Sequence, residues 1–360
     1  MKKTAALIAG LLLCLATLTA AGGNAGDPLI SRSYLEETFF HTLEDSVNSR
    51  LDQADAEVRA NAGQDNPQLP DGEARDIREH MLKRGDVLSG GTGMSVTLLG
   101  GEVRLNVSGG GVVDVTEGTE VPDGTLLQTG HRYIVAENAS ADFTVAAPVA
   151  VLSSEAAGTA ALSREPDHFA IARALRSLGL FQGSGSGFGE GFDLHRAPTR
   201  GEGLVMFLRL LGEEEQALAW TGSHPFTDVP RWLDRYVAWA YANGYANGVG
   251  ADRFGCGQKM SAVEYTEFLL RAMGYSTAGV DDYAASLERA LDCGLLTDGE
   301  YAMLREDAFL RAHVAYLSYI ALDASDSEGE TLARRLTETE VITEEQLAGA
   351  RSEADLFRTQ

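Results

Sequence analysis

A Thr-Arg-Gly-Glu run at residues 199–202 is the clearest sign of binding chemistry in the sequence. Thr199 and Glu202 have the three-residue spacing of a capping box, which predicts that a helix begins between them. Arg200 then lies in the first helical turn, where its planar guanidinium and the free helix N–H groups would form a receptor for a carboxylate. The interpretation that remains open beside this one is that Arg200 only forms an ion pair with a neighbouring acid.

The sequence contains no convincing catalytic motif. It lacks a P-loop, a dinucleotide-binding glycine pattern and the His-Glu-x-x-His zinc motif. The Gly/Ser run at 183–187 has glycine at the centre, where a nucleophile elbow has serine. Acid pairs such as Glu190 and Asp193 are expected by chance among 53 acids, and a glycosidase pair must also be positioned in space. The seven histidines do not lie at metal-ligand spacing from a cysteine. We therefore expect a non-catalytic protein without a cofactor or metal.

The charge balance narrows the choice of partners. There are 29 Lys+Arg against 53 Asp+Glu, a formal net charge of −24. Such a chain repels nucleic acid and anionic membranes, so neither is expected as a partner. An anionic ligand would have to be held by a few locally placed arginines.

Residues 1–21 have the pattern of a signal peptide. Lys2 and Lys3 precede an apolar run at 5–18, and small residues follow at 19–21. The alternative is an uncleaved anchor, although the run is shorter than the ~20 apolar residues that a spanning helix needs. We expect a secreted protein of the cell wall or cell surface, with no membrane span after signal cleavage.

The rest of the N-terminal half divides into a helical region and a β domain. In residues 22–84, Ser33 and Glu36 form a capping box before an apolar stripe that continues to about residue 60. This helix either packs on its own chain or self-associates, and a shorter helix is predicted over 73–83. Residues 85–153 alternate in short β-branched runs between glycine-rich turns, which predicts a small roll, barrel or sandwich of six or seven strands. Residues 154–166 are expected to form a linker.

The C-terminal half returns to helical spacing and repeats itself. Three copies are predicted at about 167–213, 224–276 and 281–324, each a helix, a glycine-rich loop and a second helix. In the second copy Asp228 is predicted to cap a helix that carries Trp232, Gly244 ends that helix, and Ser261 with Glu264 begins the next one. The polar tail, 325–360, is predicted to hold short helices at 332–336 and 344–347, without an assigned function. Cys256 and Cys293 either pair or remain two free thiols. The expected fold class is therefore multidomain α+β.

The repeated half resembles S-layer homology modules, which anchor bacterial envelope proteins to the wall. The resemblance rests on Phe226-x-Asp-Val-Pro-x-Trp232, on the Gly244 to Gly248 spacing with Phe254, and on the run from Thr199 to Glu202. It implies an α-helical pseudo-threefold domain whose grooves bind a secondary cell-wall polysaccharide, often one that carries pyruvate ketals.

The same resemblance assigns roles to individual residues. Arg200 and Arg311 would meet a ligand carboxylate beside Glu202, Asp228 would accept sugar hydroxyls, and Trp232 would offer a stacking face. The sequence departs from the family pattern in several places. Ala262 replaces the arginine of the second copy, and the third copy has His313 for the glutamate and no capping Thr. The Phe-x-Asp-Val-Pro motif occurs only in the second copy. At most two of three grooves therefore keep the expected cation. The alternative is an interaction scaffold with degenerate repeats, in which the β domain or the N-terminal helix binds the partner.

Overall fold

The computed structural model describes residues 77–155, 158–185, 187–275, 285–356 and 358. The predicted signal peptide at 1–21 and the predicted helix that ends near residue 60 lie outside the described residues. Residues 74–360 form one compact unit, in which an antiparallel sheet is followed by helices. The predicted mixture of α and β structure is thereby confirmed for the described part.

One antiparallel sheet spans residues 77–161. Its strands are β1 (Ile77–Lys83), β2 (Val87–Gly91), β3 (Ser95–Gly109), β4 (Val112–Asp114), β5 (Thr119–Val121), β6 (Arg132–Val135), β7 (Ala139–Glu155) and β8 (Thr159–Ala161). The order across the sheet is β5-β4-β6-β3-β7-β2-β8, and β1 also pairs with β7. The long strand β7 therefore has β3 on one side, and β2 and β1 in succession on the other.

Two sequence predictions about this sheet are wrong. The segment 73–83, predicted as a helix, forms strand β1 from Ile77 onward, and β8 lies inside the predicted linker 154–166. The sheet therefore extends beyond the predicted domain limits of 85 and 153. The reason is non-local, because every residue of β1 faces a partner in β7, from Ile77 opposite Glu155 to Lys83 opposite Val149. Such pairing overrides the weak helix propensity of the segment.

The β-branched runs on either side of Gly100 and Gly101, predicted to be separate short strands, form one strand, β3, with register shifts at these glycines. At Gly101 φ is +91°, and a Cβ would lie 2.3 Å from the carbonyl oxygen of Val149. Only glycine fits this bulge. The bulge bends β3 where its pairing with β7 resumes, and alternate residues of both strands, such as Leu105 and Phe143, fill the core of the sheet.

Ten helices lie in the described part of the C-terminal half. They are α1 (His168–Ser177), α2 (Arg200–Leu210), α3 (Glu214–Ala219), α4 (Asp234–Ala242), α5 (Ala262–Ala272), α6 (Ser286–Asp292), α7 (Asp298–Glu306), α8 (Arg311–Ala321), α9 (Leu332–Glu338) and α10 (Glu344–Ala354). Helices α9 and α10 confirm the predicted helices of the tail, and α10 packs against α1. Sequence reasoning missed α3 and α7. The helices share one hydrophobic core.

The predicted helix boundaries are confirmed where they depend on local chemistry. Thr199 with Glu202, and Ser261 with Glu264, form complete capping boxes at the starts of α2 and α5. Gly244 has φ +72° just after α4, as an αL stop requires. The predicted cap at Asp228 is wrong, because α4 begins only at Asp234.

The sheet and the helices meet at a joint of polar and apolar contacts. The Glu79 carboxylate accepts a hydrogen bond from the Gly189 backbone N–H at 2.8 Å, and Arg84 forms an ion pair with Asp307 at 2.6 Å. Val149 and Val151 of β7 belong to the core of the helices. No helix among the described residues is long and apolar enough to cross a membrane.

Candidate functional site

Arg200 is completely buried, with 0% of the residue exposed. Its Nη1 donates to Glu264 Oε1 at 2.7 Å and its Nη2 donates to the Asn247 carbonyl at 2.8 Å. The guanidinium also lies 5.0 Å from the ring centre of Phe254 and 5.2 Å from that of Phe268. Of the two interpretations of Arg200, the structure has the ion pair, and the guanidinium is enclosed by protein.

Arg311 is also buried, with 4% of the residue exposed. Its Nε donates to the Phe192 carbonyl at 2.9 Å and its Nη2 donates to the Gln182 carbonyl at 3.0 Å. Its Nη1 lies 3.3 Å from the sulfur of Met206. Burial lowers the pKa of Arg311, and the nearby Arg196 lowers it further. The guanidinium therefore ties helix α8 to loop carbonyls rather than to a carboxylate.

The two arginines form the same kind of junction, although they lie 111 positions apart in the sequence. Each bonds the carbonyl of the residue that precedes a loop glycine, Gly248 for Arg200 and Gly183 for Arg311. The backbone continues each junction, because the N–H groups at the helix start donate to carbonyls in the segment before another helix. These bonds run from Arg200 to Gln258, from Gly201 to Cys256, from Arg311 to Arg196 and from Ala312 to Leu194. We call these the two arginine junctions.

At the start of α5 the equivalent position is Ala262, and the junction is open. In the two arginine junctions, the accepting carbonyls lie at fixed distances from the N-cap residue of the helix that follows them. They are three and five residues before that N-cap. For α8 these would be Asp307 and Arg305, but Arg305 lies within helix α7. No backbone hydrogen bond joins Ala262 or Val263 to residues 305–309, all of which the structure describes. A groove therefore remains where the other two junctions are closed by an arginine.

This groove has a volume of about 570 Å³. Lys259 and Arg305 are exposed at its rim, and Glu288 and Asp307 supply two acids. Tyr301 lies beneath Arg305, whose guanidinium is 5.4 Å from the ring centre. The apolar side chains that line the groove include Met260, Leu287, Leu304 and Phe309. The groove thus combines an apolar floor with charged groups of both signs.

Glu202 closes the capping box of α2 and has a second partner. Its carboxylate accepts from the Thr199 backbone N–H at 2.7 Å and from both terminal nitrogens of Arg196 at 2.8 and 3.1 Å. Burial alone would raise the pKa of Glu202, but the bonds from Arg196 and Thr199 outweigh it, so the pKa lies below its usual value. The carboxylate is committed to the start of its own helix.

Asp228 fastens a loop instead of capping α4. Its two carboxylate oxygens accept hydrogen bonds from the backbone N–H groups of Phe254 and Gly255, at 2.7 and 2.8 Å. Burial works to raise the pKa of Asp228, but these two bonds lower it more strongly, and its net pKa is depressed. This commitment explains the wrong prediction, since the carboxylate is turned toward the loop and away from the helix.

Trp232 precedes α4 and is 59% exposed. The other two tryptophans contact each other, with the ring centres of Trp220 and Trp239 5.3 Å apart. Trp239 Nε1 donates to Glu213 Oε2 at 2.8 Å. Of the five residues predicted to bind a polymer, Trp232 is the one whose side chain is mainly open to solvent. It does not line the groove beside Ala262.

Cys256 and Cys293 are free and half-buried. The Cys256 thiol donates to the Asp228 carbonyl at 2.9 Å. No group of three or more potential metal ligands comes together among the described residues.

Sequence reasoning identified the missing arginine at Ala262 but missed the residues that line the groove there. Lys259, Tyr301 and Arg305 come together only because α7 lies beside the start of α5. A local signal for α7 exists, since Thr297 and Glu300 form a capping box. A search of protein-family models and of curated proteins finds no match to the chain.

Proposed function

We propose that this is an exported, non-catalytic protein of the bacterial cell envelope that binds a secondary cell-wall polysaccharide through S-layer-homology-like repeats. The observation that carries the proposal is the open groove beside Ala262, which takes the place of a third arginine junction. The binding site is then this groove and not the surroundings of Arg200 or Arg311.

Support for a repeated architecture comes from the two arginine junctions. Both use an arginine at the first position of a helix, a carbonyl before a loop glycine, and two backbone bonds to the segment before another helix. Such equivalence of contacts is what stacked or pseudosymmetric repeats produce. The groove then corresponds to the remaining boundary, between the second and third copies.

The lining of the groove suits a sugar polymer that carries carboxylates. The apolar floor, with Leu287 and Phe309, would contact the C–H faces of sugar rings, and Glu288 would accept hydroxyl hydrogens. Lys259 and Arg305 would attract the carboxylate of a pyruvate ketal, which a net charge of −24 otherwise repels. Because both cations are exposed at the rim, they remain accessible to a polymer from solvent.

A second candidate function is favoured by the ion pair between Arg200 and Glu264. With Arg200 and Arg311 both buried, the repeats would form only a packing scaffold, and the sheet or the N-terminal region would bind the partner. The two candidates differ in whether the groove has a ligand.

The deciding experiment is cosedimentation of the full chain with purified bacterial wall sacculi, before and after extraction of the secondary polymer. The test variant is Lys259→Ala with Arg305→Ala. Its matched control is Arg132→Ala with Arg334→Ala, which removes two exposed cations elsewhere. Loss of two rim cations is expected to weaken pelleting roughly tenfold or more, at about 1 kcal/mol for each charge contact.

The proposal requires that pelleting depend on the polymer, decline in the groove variant and persist in the control. If the groove variant pellets as well as the wild type, the groove is not the site. If no form of the chain pellets with polymer-bearing sacculi, the scaffold function is the better explanation.

A further inference from the structure

The start of helix α8 has a capping arrangement that differs from those of the other helices with a capping box. His313 Nδ1 accepts a hydrogen bond from the Leu310 backbone N–H at 3.0 Å. In the boxes of α2, α5 and α7 the acceptor is a glutamate, and in that of α10 it is Gln346. The cap of α8 is therefore the one among these helices that depends on an imidazole acceptor.

A second histidine lies next to this cap. His168 of α1 is buried, and its ring centre is 6.2 Å from that of His313 and 5.8 Å from that of Tyr316. Neither ring nitrogen of His168 has a hydrogen-bond partner of good geometry among the described residues. An imidazole in this position is neutral, because a charge there would lack both water and a direct partner.

The same cluster includes the ion pair that fastens the sheet to the helices. The Asp307 carboxylate has two neighbours. Arg84, in the turn between β1 and β2, lies 2.6 Å from it, and His313 Nε2 lies 3.5 Å from it. The charged and titratable groups that face His168 are thus His313, Arg84 and Asp307, and the Pro166 carbonyl also lies near its ring. One carboxylate, Asp307, is present for one permanent cation, Arg84, so an added imidazolium charge on His168 would have no carboxylate of its own.

We propose that the joint between the sheet and the helices is an acid-sensitive latch, closed while His168 is buried and neutral and opened when His168 is protonated. A positive charge on His168 would lie beside Arg84, whose ion pair with Asp307 fastens the sheet to the helices. Opening exposes His168 to water, where it binds a proton, and this binding shifts the equilibrium toward the open joint. This inference does not depend on the ligand of the groove.

The sign of the effect follows from the burial of His168. Burial has the largest effect on the pKa of His168, and the neighbouring His313 acts in the same direction. Together they lower it to about 3, against 6.5 for a free side chain. In mild acid, His168 therefore stays unprotonated in the closed joint but is protonated in the open joint. The open population consequently rises as the pH falls below 6.5. From this one group the opening equilibrium increases about 30-fold between pH 7.5 and pH 5, since it grows almost tenfold per unit below the free value.

The test is amide hydrogen exchange of the full chain between pH 7.5 and pH 5, corrected for the intrinsic pH dependence of exchange. Protection in the turn around Arg84 and at the start of α8 is expected to fall about 30-fold. Protection around Phe143, where β7 pairs with both β2 and β3, is expected to stay constant. A decrease of equal size throughout the unit would indicate global unfolding and overturn the latch.

Three variants complete the test. In His313→Gln the side-chain oxygen takes the place of Nδ1 as acceptor, the role that Gln346 has at α10. The double variant, which adds His168→Leu, should show a pH response of less than about threefold. The control is His224→Gln, which removes another buried histidine that accepts a local backbone bond but does not touch the joint. It should respond like the wild type.

Constant protection at the joint in the wild type would refute the proposal, whether or not the variants fold. A wild-type response in the double variant would refute it as well.

Discussion

Replacing Arg200 with alanine distinguishes a structural arginine from a ligand-binding one. The change removes the ion pair with Glu264, whose side chain is 18% exposed, and the bond to the Asn247 carbonyl. Removing one partner of a buried ion pair typically costs about 3–5 kcal/mol. The lower end, about 3 kcal/mol, is appropriate because water can reach part of Glu264. We expect a decrease in Tm of roughly 6–12 °C, at about 2–4 °C per kcal/mol for a unit of this size.

Intrinsic fluorescence is a suitable assay, because the three tryptophans of the chain all follow the sheet in the sequence. They are Trp220, Trp232 and Trp239. The signal therefore reports on the helices and not on the sheet. Thermal and denaturant unfolding of Arg200→Ala would be compared with Arg334→Ala, which truncates an arginine that is 67% exposed and is expected to leave stability unchanged.

A double change sharpens the comparison. Arg200→Met with Glu264→Gln removes both charges and is expected to cost less than Arg200→Ala alone, because no uncompensated buried charge remains. An Arg200→Ala protein with wild-type stability that no longer binds wall sacculi would refute the reasoning and restore the ligand role that the sequence predicted.

Three further predictions follow from single contacts. Arg358→Ala leaves the buried Glu300 without the cation that bonds it at 2.6 Å, and we expect a loss of about 2–3 kcal/mol at neutral pH in denaturant unfolding. Burial works to raise the pKa of Glu300, but bonds from Arg358 and Tyr316 outweigh it and lower the pKa. Its stabilisation is therefore present above about pH 4.5 and lost as the pH falls, and this loss should be smaller in Arg358→Ala. Asp228→Ala strands two loop N–H groups and should cost about 1–3 kcal/mol, with faster amide exchange at Phe254, whereas unchanged exchange there would contradict the role of Asp228. Gly183→Ala places a Cβ 2.3 Å from the Gly191 carbonyl oxygen and should lower Tm, while Gly187→Ala, which meets nothing within 4 Å, should not.

The parts of the fold that sequence reasoning predicted correctly are those fixed by neighbouring residues. The capping boxes at Thr199 and Ser261 each involve two side chains three positions apart, and Gly244 ends its helix through its own φ. Strand β1 was mistaken for a helix because its partner lies in β7, some seventy residues later. The sequence contains no local signal for that pairing.

The candidate site was only half predictable for the same reason. The sequence identifies Arg200 as a special residue, but Glu264, which neutralises it, lies 64 positions away. The absence of an arginine at Ala262 was interpreted as a loss of function in one groove. In the structure that absence leaves a groove of about 570 Å³, because Arg200 and Arg311 fill the corresponding space at the other two junctions.

The pairing of β7 also has a consequence for the order in which the chain folds. Its ladder with β3 joins residues between 30 positions apart, at Gly109 and Ala139, and 60 positions apart, at Ser95 and Glu155. Closing such long loops slows folding. Until β7 is in place, β1 has no strand partner and β3 has only β6. The sheet can therefore complete its pairing only once residue 155 is available, and until then its unpaired edges are open to pairing with other chains.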